Sequence, residues 1–266
     1  MEQARPHHDR QHPKAVRQAA LGRFGFDFDD KAAYPSIVTA LFASGVWSVS
    51  AYLAHRPQVL GALAGHFFGR AGATEVSKVK QLFNSMDMGG GPGAWMEAHS
   101  SELRAGASVA EAVVAVGGGA EVGVGSYRGD HDKRVEELRR RAPRLVEAVR
   151  KLNEKRGESR REELTARSYL LQHYEGASRE AKRRWLACRG CTPFSLQHDG
   201  VMASLVVGLT PDNVAGRLGV AASEALGFQV QVEVKSRPLG DDSRTYGPRP
   251  QLRLEPSHPP RPELIV

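Results

Sequence analysis

A strict alternation of aromatic and acidic side chains near the start of the chain most constrains its fold. The segment runs Phe24-Gly25-Phe26-Asp27-Phe28-Asp29. Because successive side chains of a β-strand point to opposite faces, the aromatic and acidic residues separate onto two sides. The segment is therefore predicted to be a strand whose aromatic face packs on a core. Its acidic face is expected to carry Asp29 on the open side of a sheet.

A second aspartate lies at a predicted hairpin turn. Residues 194–197 and 201–207 are strand-like, and His198-Asp199-Gly200 lies between them. Glycine accommodates the backbone angles of tight turns, so the pattern predicts an antiparallel hairpin with Asp199 at its tip. For either acidic motif taken alone, an ordinary polar turn or hairpin is the favoured interpretation.

Two aspartates on neighbouring strands could hold two magnesium ions. Nucleotidyl transfer develops charge on both the attacking and the leaving oxygen, and two ions about 3.5–4 Å apart stabilise both. Magnesium prefers oxygen ligands and needs few protein carboxylates when a triphosphate supplies the others. Asp29 and Asp199 are therefore the predicted metal ligands.

A predicted helix over residues 76–88, followed by three glycines at 89–91, supplies a third element. Lys80 and Asn84 are four residues apart and so share one helical face. A lysine is a compact point charge that suits phosphate, so Lys80 is expected to contact a triphosphate. Asn84 is expected to contact the nucleotide or the template base. A solvated lysine on a surface helix is the alternative.

With these motifs in this order, the chain resembles the palm and fingers of template-directed DNA polymerases. It is most similar to the family A group and its divergent viral and mobile-element relatives. Asp29 matches the metal-binding aspartate of motif A, and His198-Asp199 matches the His-Asp of the family A motif C. Tyr34-Pro35-Ser36-Ile37 resembles the Tyr-Pro-Ser-Ile of family B, in which the tyrosine position excludes a 2′-hydroxyl. Lys80 and Gly89 fit the family A fingers helix.

The resemblance implies an α+β fold over residues 21–236: a right-hand polymerase palm, with an antiparallel sheet backed by helices, short fingers over residues 38–95 and no thumb. It implies addition of deoxynucleoside triphosphates to a DNA primer-template through two Mg²⁺ ions. Asp29, Asp199 and Lys80 would be catalytic, and Tyr34, Lys80 and Asn84 would bind the nucleotide. His198 would orient the hairpin or the primer end. A separate thumb-bearing or replication partner would complete such a hand.

Four positions depart from the family A pattern. Val76 replaces an arginine, Asn84 an aromatic residue and Met88 a tyrosine. Gly200 replaces the glutamate that follows the motif C aspartate. The third carboxylate of that family is therefore missing.

The alternative function is that of a non-catalytic nucleic-acid-binding protein, either a degenerate palm kept as a replication scaffold or an unrelated basic domain.

The chain is basic, with a formal net charge of +7, which favours a polyanionic partner. Arg139, Arg140 and Arg141 are the leading candidates for contacts with a duplex backbone. Arg167 and Gln172, on the next predicted helix, are weaker candidates for contact with the primer-template. Interleaved glutamates leave a solvated helix with paired charges as the alternative.

Both ends of the chain are expected to be disordered: residues 1–20 are polar and basic, and residues 237–266 are rich in proline. Residues 1–20 lack the apolar core of a secretory signal, and no apolar run is long enough to span a membrane. An intracellular protein without a membrane partner is predicted, with nucleus, cytoplasm and organelle left open. A glycine-rich stretch at 117–125 is interpreted as a flexible linker between subdomains.

Overall fold

The computed structural model describes residues 24–42, 47–157, 161–196 and 199–236. These residues form an α+β structure that divides into two compact units. The first unit combines residues 24–31 with 175–236, and the second comprises residues 32–174. The predicted disordered ends, 1–20 and 237–266, lie outside the described residues.

Six strands and nine helices lie within the described ranges. The strands are β1 (Phe26–Asp30), β2 (Val113–Val116), β3 (Ala120–Gly123), β4 (Thr192–Leu196), β5 (Val201–Ser204) and β6 (Val232–Ser236). The helices are α1 (Ala33–Leu41), α2 (Trp47–Ala54), α3 (Arg56–Phe68), α4 (Ala73–Asp87), α5 (Pro92–Ala98), α6 (Val124–Arg141), α7 (Pro143–Arg156), α8 (Glu162–Cys188) and α9 (Pro211–Leu226). None of these helices is long and apolar enough to cross a membrane.

The first unit is built on a four-stranded antiparallel sheet in the order β4-β5-β1-β6. With the end of α8 and with α9, its elements follow the succession βαββαβ. The strand that carries the first acidic motif, β1, is internal. Phe28 pairs with Val201 of β5 on one side, and Asp29 pairs with Glu233 of β6 on the other.

The aromatic face of β1 packs on a hydrophobic core, as the alternation predicts. Phe28 is buried together with Val201 of β5, Leu186 of α8 and Leu218 of α9. Burying side chains of this size contributes roughly 1.5–3 kcal/mol each, which fixes the register of the strand because a slip by one residue would turn Phe28 away from the core.

The prediction that Asp29 stands on an open face is wrong. Asp29 is 7% exposed, and Asp27 on the same face is 2% exposed. Asp29 forms an ion pair with Lys235, two residues beyond its cross-strand partner Glu233 on β6. Lys235 of the neighbouring strand thus lies against Asp29, a contact that the pattern of β1 alone does not reveal.

The second unit has an aromatic core. The rings of Tyr52 on α2 and Phe83 on α4 are stacked with centroids 4.2 Å apart, and Tyr127 of α6 meets Phe83 edge-on at 4.7 Å. All three side chains are fully buried. Such pairs stabilise a core by about 0.5–1.5 kcal/mol beyond their burial.

The glycine-rich stretch is not a linker. Residues 117–119 form a short 3₁₀ turn that joins β2 to β3 in an antiparallel hairpin. Val114, Val116 and Val122 are buried and anchor this hairpin to α2 and α3. Gly119 has a positive φ of 76°, a conformation that glycine adopts without strain.

The predicted glycine-terminated helix is confirmed. Helix α4 ends at Asp87 and is followed by Gly89 with a φ of 93°. Helix α9 likewise ends at Leu226 and is followed by Gly227 with a φ of 75°. Pro57 lies in the first turn of α3, where a proline is tolerated.

Candidate functional site

The two predicted metal-binding aspartates lie at the same edge of the first unit's sheet. Asp29 is near the end of β1, and Asp199-Gly200 leads directly into its antiparallel neighbour β5. A Cβ added to Gly200 would lie 3.0 Å from Asp29 Oδ1 and 3.2 Å from the carbonyl oxygen of Phe28. The backbone at Gly200, one residue after Asp199, therefore lies close to the Asp29 carboxylate.

Asp29 has one cationic and one acidic neighbour on β6. Its Oδ2 pairs with Lys235 Nζ, and the backbone of Glu233 lies directly opposite. Like charges on directly opposite residues disfavour pairing of two strands, so Lys235 offsets the repulsion between Asp29 and Glu233. Glu233 is an exposed acid beside the site that the sequence pattern did not single out.

The next residue, Asp30, points to the opposite face and lies against α8. Lys182 Nζ is 2.6 Å from Asp30 Oδ1, and Ser178 Oγ donates to Asp30 Oδ2 at 2.6 Å. Lys182 also donates to the backbone carbonyl of Asp199. Burial raises the pKa of Asp30 above its ordinary value, and the charge of Lys182 opposes that rise.

Lys182 and Ser178 escaped sequence analysis because they belong to a long basic segment. They do carry one signal: they lie on the same helical face as the buried Leu186, at spacings of four and eight residues. A lysine in an apolar stripe indicates a buried acid opposite it, since an unpaired ammonium is costly to bury.

The residues at this end of the sheet offer oxygen donors, the ligand type that magnesium prefers. Among the described residues, no three His, Cys, Asp or Glu side chains converge as a metal site. Magnesium that is held largely by substrate phosphates needs only one or two protein carboxylates, and Asp29 and Asp199 are the two candidates at this end of the sheet. The missing Cβ at Gly200 leaves room beside Asp29 Oδ1, and Lys235 shows that a cation is accommodated at Oδ2.

The predicted nucleotide-binding residues belong to the second unit. Tyr34 lies in the first turn of α1, and Lys80 and Asn84 are one turn apart on α4, as expected. All three side chains are half-buried. His198 lies outside the described residues.

The three arginines predicted to contact a duplex backbone lie in the last turn of α6. Arg139 pairs with Glu163, and both Arg140 and Arg141 pair with Glu137. The arginine side chains remain more than half exposed. The segment thus has the paired charges of a solvated helix and still presents cationic groups at its surface.

Arg167 does not lie at the surface, so the prediction that it contacts a primer-template is wrong. Its side chain is fully buried, and its Nη2 donates to the carbonyl oxygen of Met86 at 3.0 Å. Burial lowers the pKa of Arg167 to about 10, and the nearby charge of Arg134 acts in the same direction. Gln172, in contrast, is exposed and donates to Ser168 Oγ at 3.0 Å.

A buried polar cluster in the second unit also went unpredicted. Tyr127 donates to Asp87 Oδ1 at 2.8 Å, and Arg134 Nη2 donates to the carbonyl oxygen of Tyr127 at 3.0 Å. The available signal is that Asp87 follows Phe83 by four residues, which places an acid on the buried face of α4.

No family model matches the chain, and no curated protein matches it. Its function is therefore inferred from the side chains and their contacts.

Proposed function

We propose that this protein is a template-directed DNA polymerase that adds deoxynucleotides by a two-metal mechanism. One contact supports this function above all: the close approach of Gly200 to Asp29, which brings Asp199 to the same sheet edge as Asp29. Two carboxylates on adjoining ends of neighbouring strands are the minimum that such chemistry requires of the protein.

In this mechanism the first unit supplies the carboxylates. Asp29 and Asp199 would hold two Mg²⁺ ions, which stabilise the charge that develops on the attacking and leaving oxygens. Lys235 forms an ion pair with the largely buried carboxylate of Asp29, so an ion at this oxygen would have to displace the ammonium. Gly200 has no side chain of its own to crowd Asp29 Oδ1.

The second unit would supply contacts to the nucleotide and to the duplex. Lys80 would bind the triphosphate, Asn84 the nucleotide or the template base, and Tyr34 the sugar. The exposed arginines at the end of α6 would lie along the backbone of a primed DNA. A partner that carries a thumb would hold the primer-template in place.

A non-catalytic nucleic-acid-binding protein is the second candidate. The ion pair between Asp29 and Lys235 favours it, because an internal cation already satisfies the central metal ligand. Glycine at position 200, where family A has its third carboxylate, also favours it.

Primer extension by the purified full chain, with deoxynucleotides and either Mg²⁺ or Mn²⁺, tests the proposal. We expect extension by the wild type and none by Asp29→Asn or Asp199→Asn, while all three bind primed DNA with similar affinity. Glu224→Gln, which removes an exposed acid on α9, is the matched control and should extend like the wild type. Tight DNA binding without extension under either metal would favour the scaffold.

A further inference from the structure

We propose that Lys182 is the positioning residue of the carboxylate site: it fixes the Asp199 turn against the end of β1 through Asp30. This role rests on the polymerase function proposed above. Lys182 does not contact the Asp29 carboxylate, so it would act on the geometry of the site and not on the substrate.

Lys182 joins two segments of the chain that are far apart in sequence. Its ammonium is 2.6 Å from Asp30 Oδ1 and also donates to the carbonyl oxygen of Asp199. A lysine ammonium has three donors, so one group can hold both acceptors at once. The strand that carries the motif A aspartate and the turn that carries the motif C aspartate are thereby held by a single side chain.

The carboxylate of Asp30 has a hydrogen-bond partner for each of its oxygens. Both oxygens of Asp30 are hydrogen-bonded, one to Lys182 and the other to Ser178. Lys182 has no exposed surface, and the side chain of Asp30 is 4% exposed. Solvent therefore contributes little, and protein groups satisfy both oxygens of Asp30.

Stability alone does not explain such a group. Taking a lysine and an aspartate out of water costs several kcal/mol per ion, and apolar side chains of similar size often serve a core equally well. A buried ion pair differs from apolar packing because its hydrogen bonds are directional. An ammonium between two oxygens fixes the position of each oxygen. Here one oxygen belongs to Asp30, the immediate neighbour of Asp29. The other belongs to Asp199, the second proposed metal ligand.

The effect on Asp29 follows from the alternation of β1. Asp29 and Asp30 are consecutive, and their side chains point to opposite faces. Holding Asp30 toward α8 therefore sets the direction of Asp29 on the other face. Partners that orient metal ligands in this indirect way typically change metal affinity by about 10–100-fold when they are removed.

An apolar double variant separates positioning from stability. Lys182→Met alone leaves Asp30 buried without its cation, which is expected to destabilise the first unit strongly. Lys182→Met combined with Asp30→Val removes both charges and keeps apolar volume with a side chain suited to a strand. Ser178→Ala is the matched control, because it removes one hydrogen bond to Asp30 and leaves the link to Asp199 intact.

Two measurements on the full-length variants test the role: Mn²⁺ affinity by electron paramagnetic resonance, and amide hydrogen exchange at Gly200 and Val201. Urea unfolding at the same pH reports stability. We expect the double variant to be about as stable as the wild type, to bind Mn²⁺ at least about tenfold more weakly, and to exchange faster at both amides. Ser178→Ala should match the wild type in both measurements.

A double variant with wild-type Mn²⁺ affinity and wild-type exchange would overturn the proposal. If the wild type itself binds no Mn²⁺, the polymerase function fails, and the exchange rates then decide whether Lys182 still fixes the Asp199 turn. Unchanged exchange in that case would overturn the positioning role as well.

Discussion

Arg134 Nη1 donates to Asp87 Oδ1 at 3.1 Å, and neither side chain has any exposed surface. Tyr127 donates to the same oxygen. Burial nevertheless raises the pKa of Asp87 to about 6, because the loss of hydration outweighs the attraction of Arg134. Protonation of one buried carboxyl is thus coupled to the stability of the second unit.

The first prediction concerns this coupling. The ordinary pKa of Asp87 is 3.8, so between about pH 4 and about pH 6 the folded chain retains a proton that the unfolded chain has lost. The stability contributed by this proton is full below pH 3.8 and is lost as the pH rises through about 6. The loss in unfolding free energy should be on the order of 3 kcal/mol at most, because each pKa unit corresponds to about 1.4 kcal/mol.

Urea unfolding of the wild type and of Asp87→Asn at pH 4.5 and pH 7.5 measures the effect. Burial also raises the pKa values of Asp30 and Asp130, but these groups are present in both proteins and cancel in the difference. We expect the wild type to lose stability relative to Asp87→Asn on going to pH 7.5. An equal difference at both pH values would show that Asp87 does not titrate in this range.

The second prediction concerns the contact between Gly200 and Asp29. A Cβ at position 200 would lie 3.0 Å from Asp29 Oδ1, so Gly200→Ala must displace the carboxylate or the strand. We expect a loss of about 1–3 kcal/mol in unfolding free energy together with a large loss of primer extension.

Gly61→Ala is the control for the second prediction. Gly61 lies within α3, and a Cβ there meets nothing within 4 Å. Alanine should stabilise the helix by about 0.5–1 kcal/mol and leave extension unchanged. Equal effects of the two substitutions would mean that the approach of Gly200 to Asp29 has no functional role.

The third prediction concerns Lys235. Because its ammonium occupies Oδ2 of Asp29, a divalent ion must compete with it. Lys235→Met should therefore raise Mn²⁺ affinity by about tenfold. The ammonium of Lys235 offsets the charge of the Asp29 carboxylate, so its removal leaves the site more negative. The measurement is a Mn²⁺ titration followed by electron paramagnetic resonance.

Lys31→Met controls for the loss of a nearby positive charge. Lys31 is exposed and directly follows β1, so this variant changes the net charge equally. It should alter Mn²⁺ affinity far less than Lys235→Met does. Weaker binding by Lys235→Met would indicate that Lys235 supports the metal site and does not compete for it.

The fourth prediction separates exposed arginines from a buried one. Each arginine that contacts a phosphate contributes about 0.9 to the slope of log affinity against log salt. Changing Arg139, Arg140 and Arg141 together to alanine should flatten that slope for primed DNA, as measured by fluorescence anisotropy. Arg167→Met should leave the slope unchanged and alter only stability, because Arg167 is buried. A flatter slope for Arg167→Met alone would contradict this assignment.

The fifth prediction concerns sugar selection by Tyr34, which lies at the start of α1. If its ring covers the sugar of the incoming nucleotide, a 2′-hydroxyl has to occupy the same volume, which costs roughly 1–3 kcal/mol. Tyr34→Ala should then incorporate ribonucleotides without losing deoxynucleotide addition. An unchanged ratio of the two in an active enzyme would assign Tyr34 to packing alone.

Sequence reasoning succeeded where the signal is local. The alternation around Phe28 predicts β1, and glycines at 89, 200 and 227 mark the ends or turns of regular elements. In each case a short-range period or a single backbone requirement determines the outcome.

Prediction from the sequence failed where the burial of a residue depends on a contact with a distant part of the chain. Asp29 is covered because Lys235 lies on the strand beside it, and the two are brought together only by the sheet. Arg167 and Lys182 belong to a helix that is rich in basic residues, yet both are fully buried. Burial of a charged residue depends on which element packs against it, and a single segment does not contain that information.

The division of the chain also determines the order in which it can fold during synthesis. Within the described residues the second unit is continuous in sequence, whereas the first joins residues 24–31 to residues 175–236. The strand β1 therefore leaves the ribosome early, but its neighbours β5 and β6 follow only after the whole second unit. Pairings between such distant segments form late, because their loop-closure entropy is lost before the contacts form. A nascent chain interrupted before residue 201 would thus carry Asp29 on a strand that has no sheet to join.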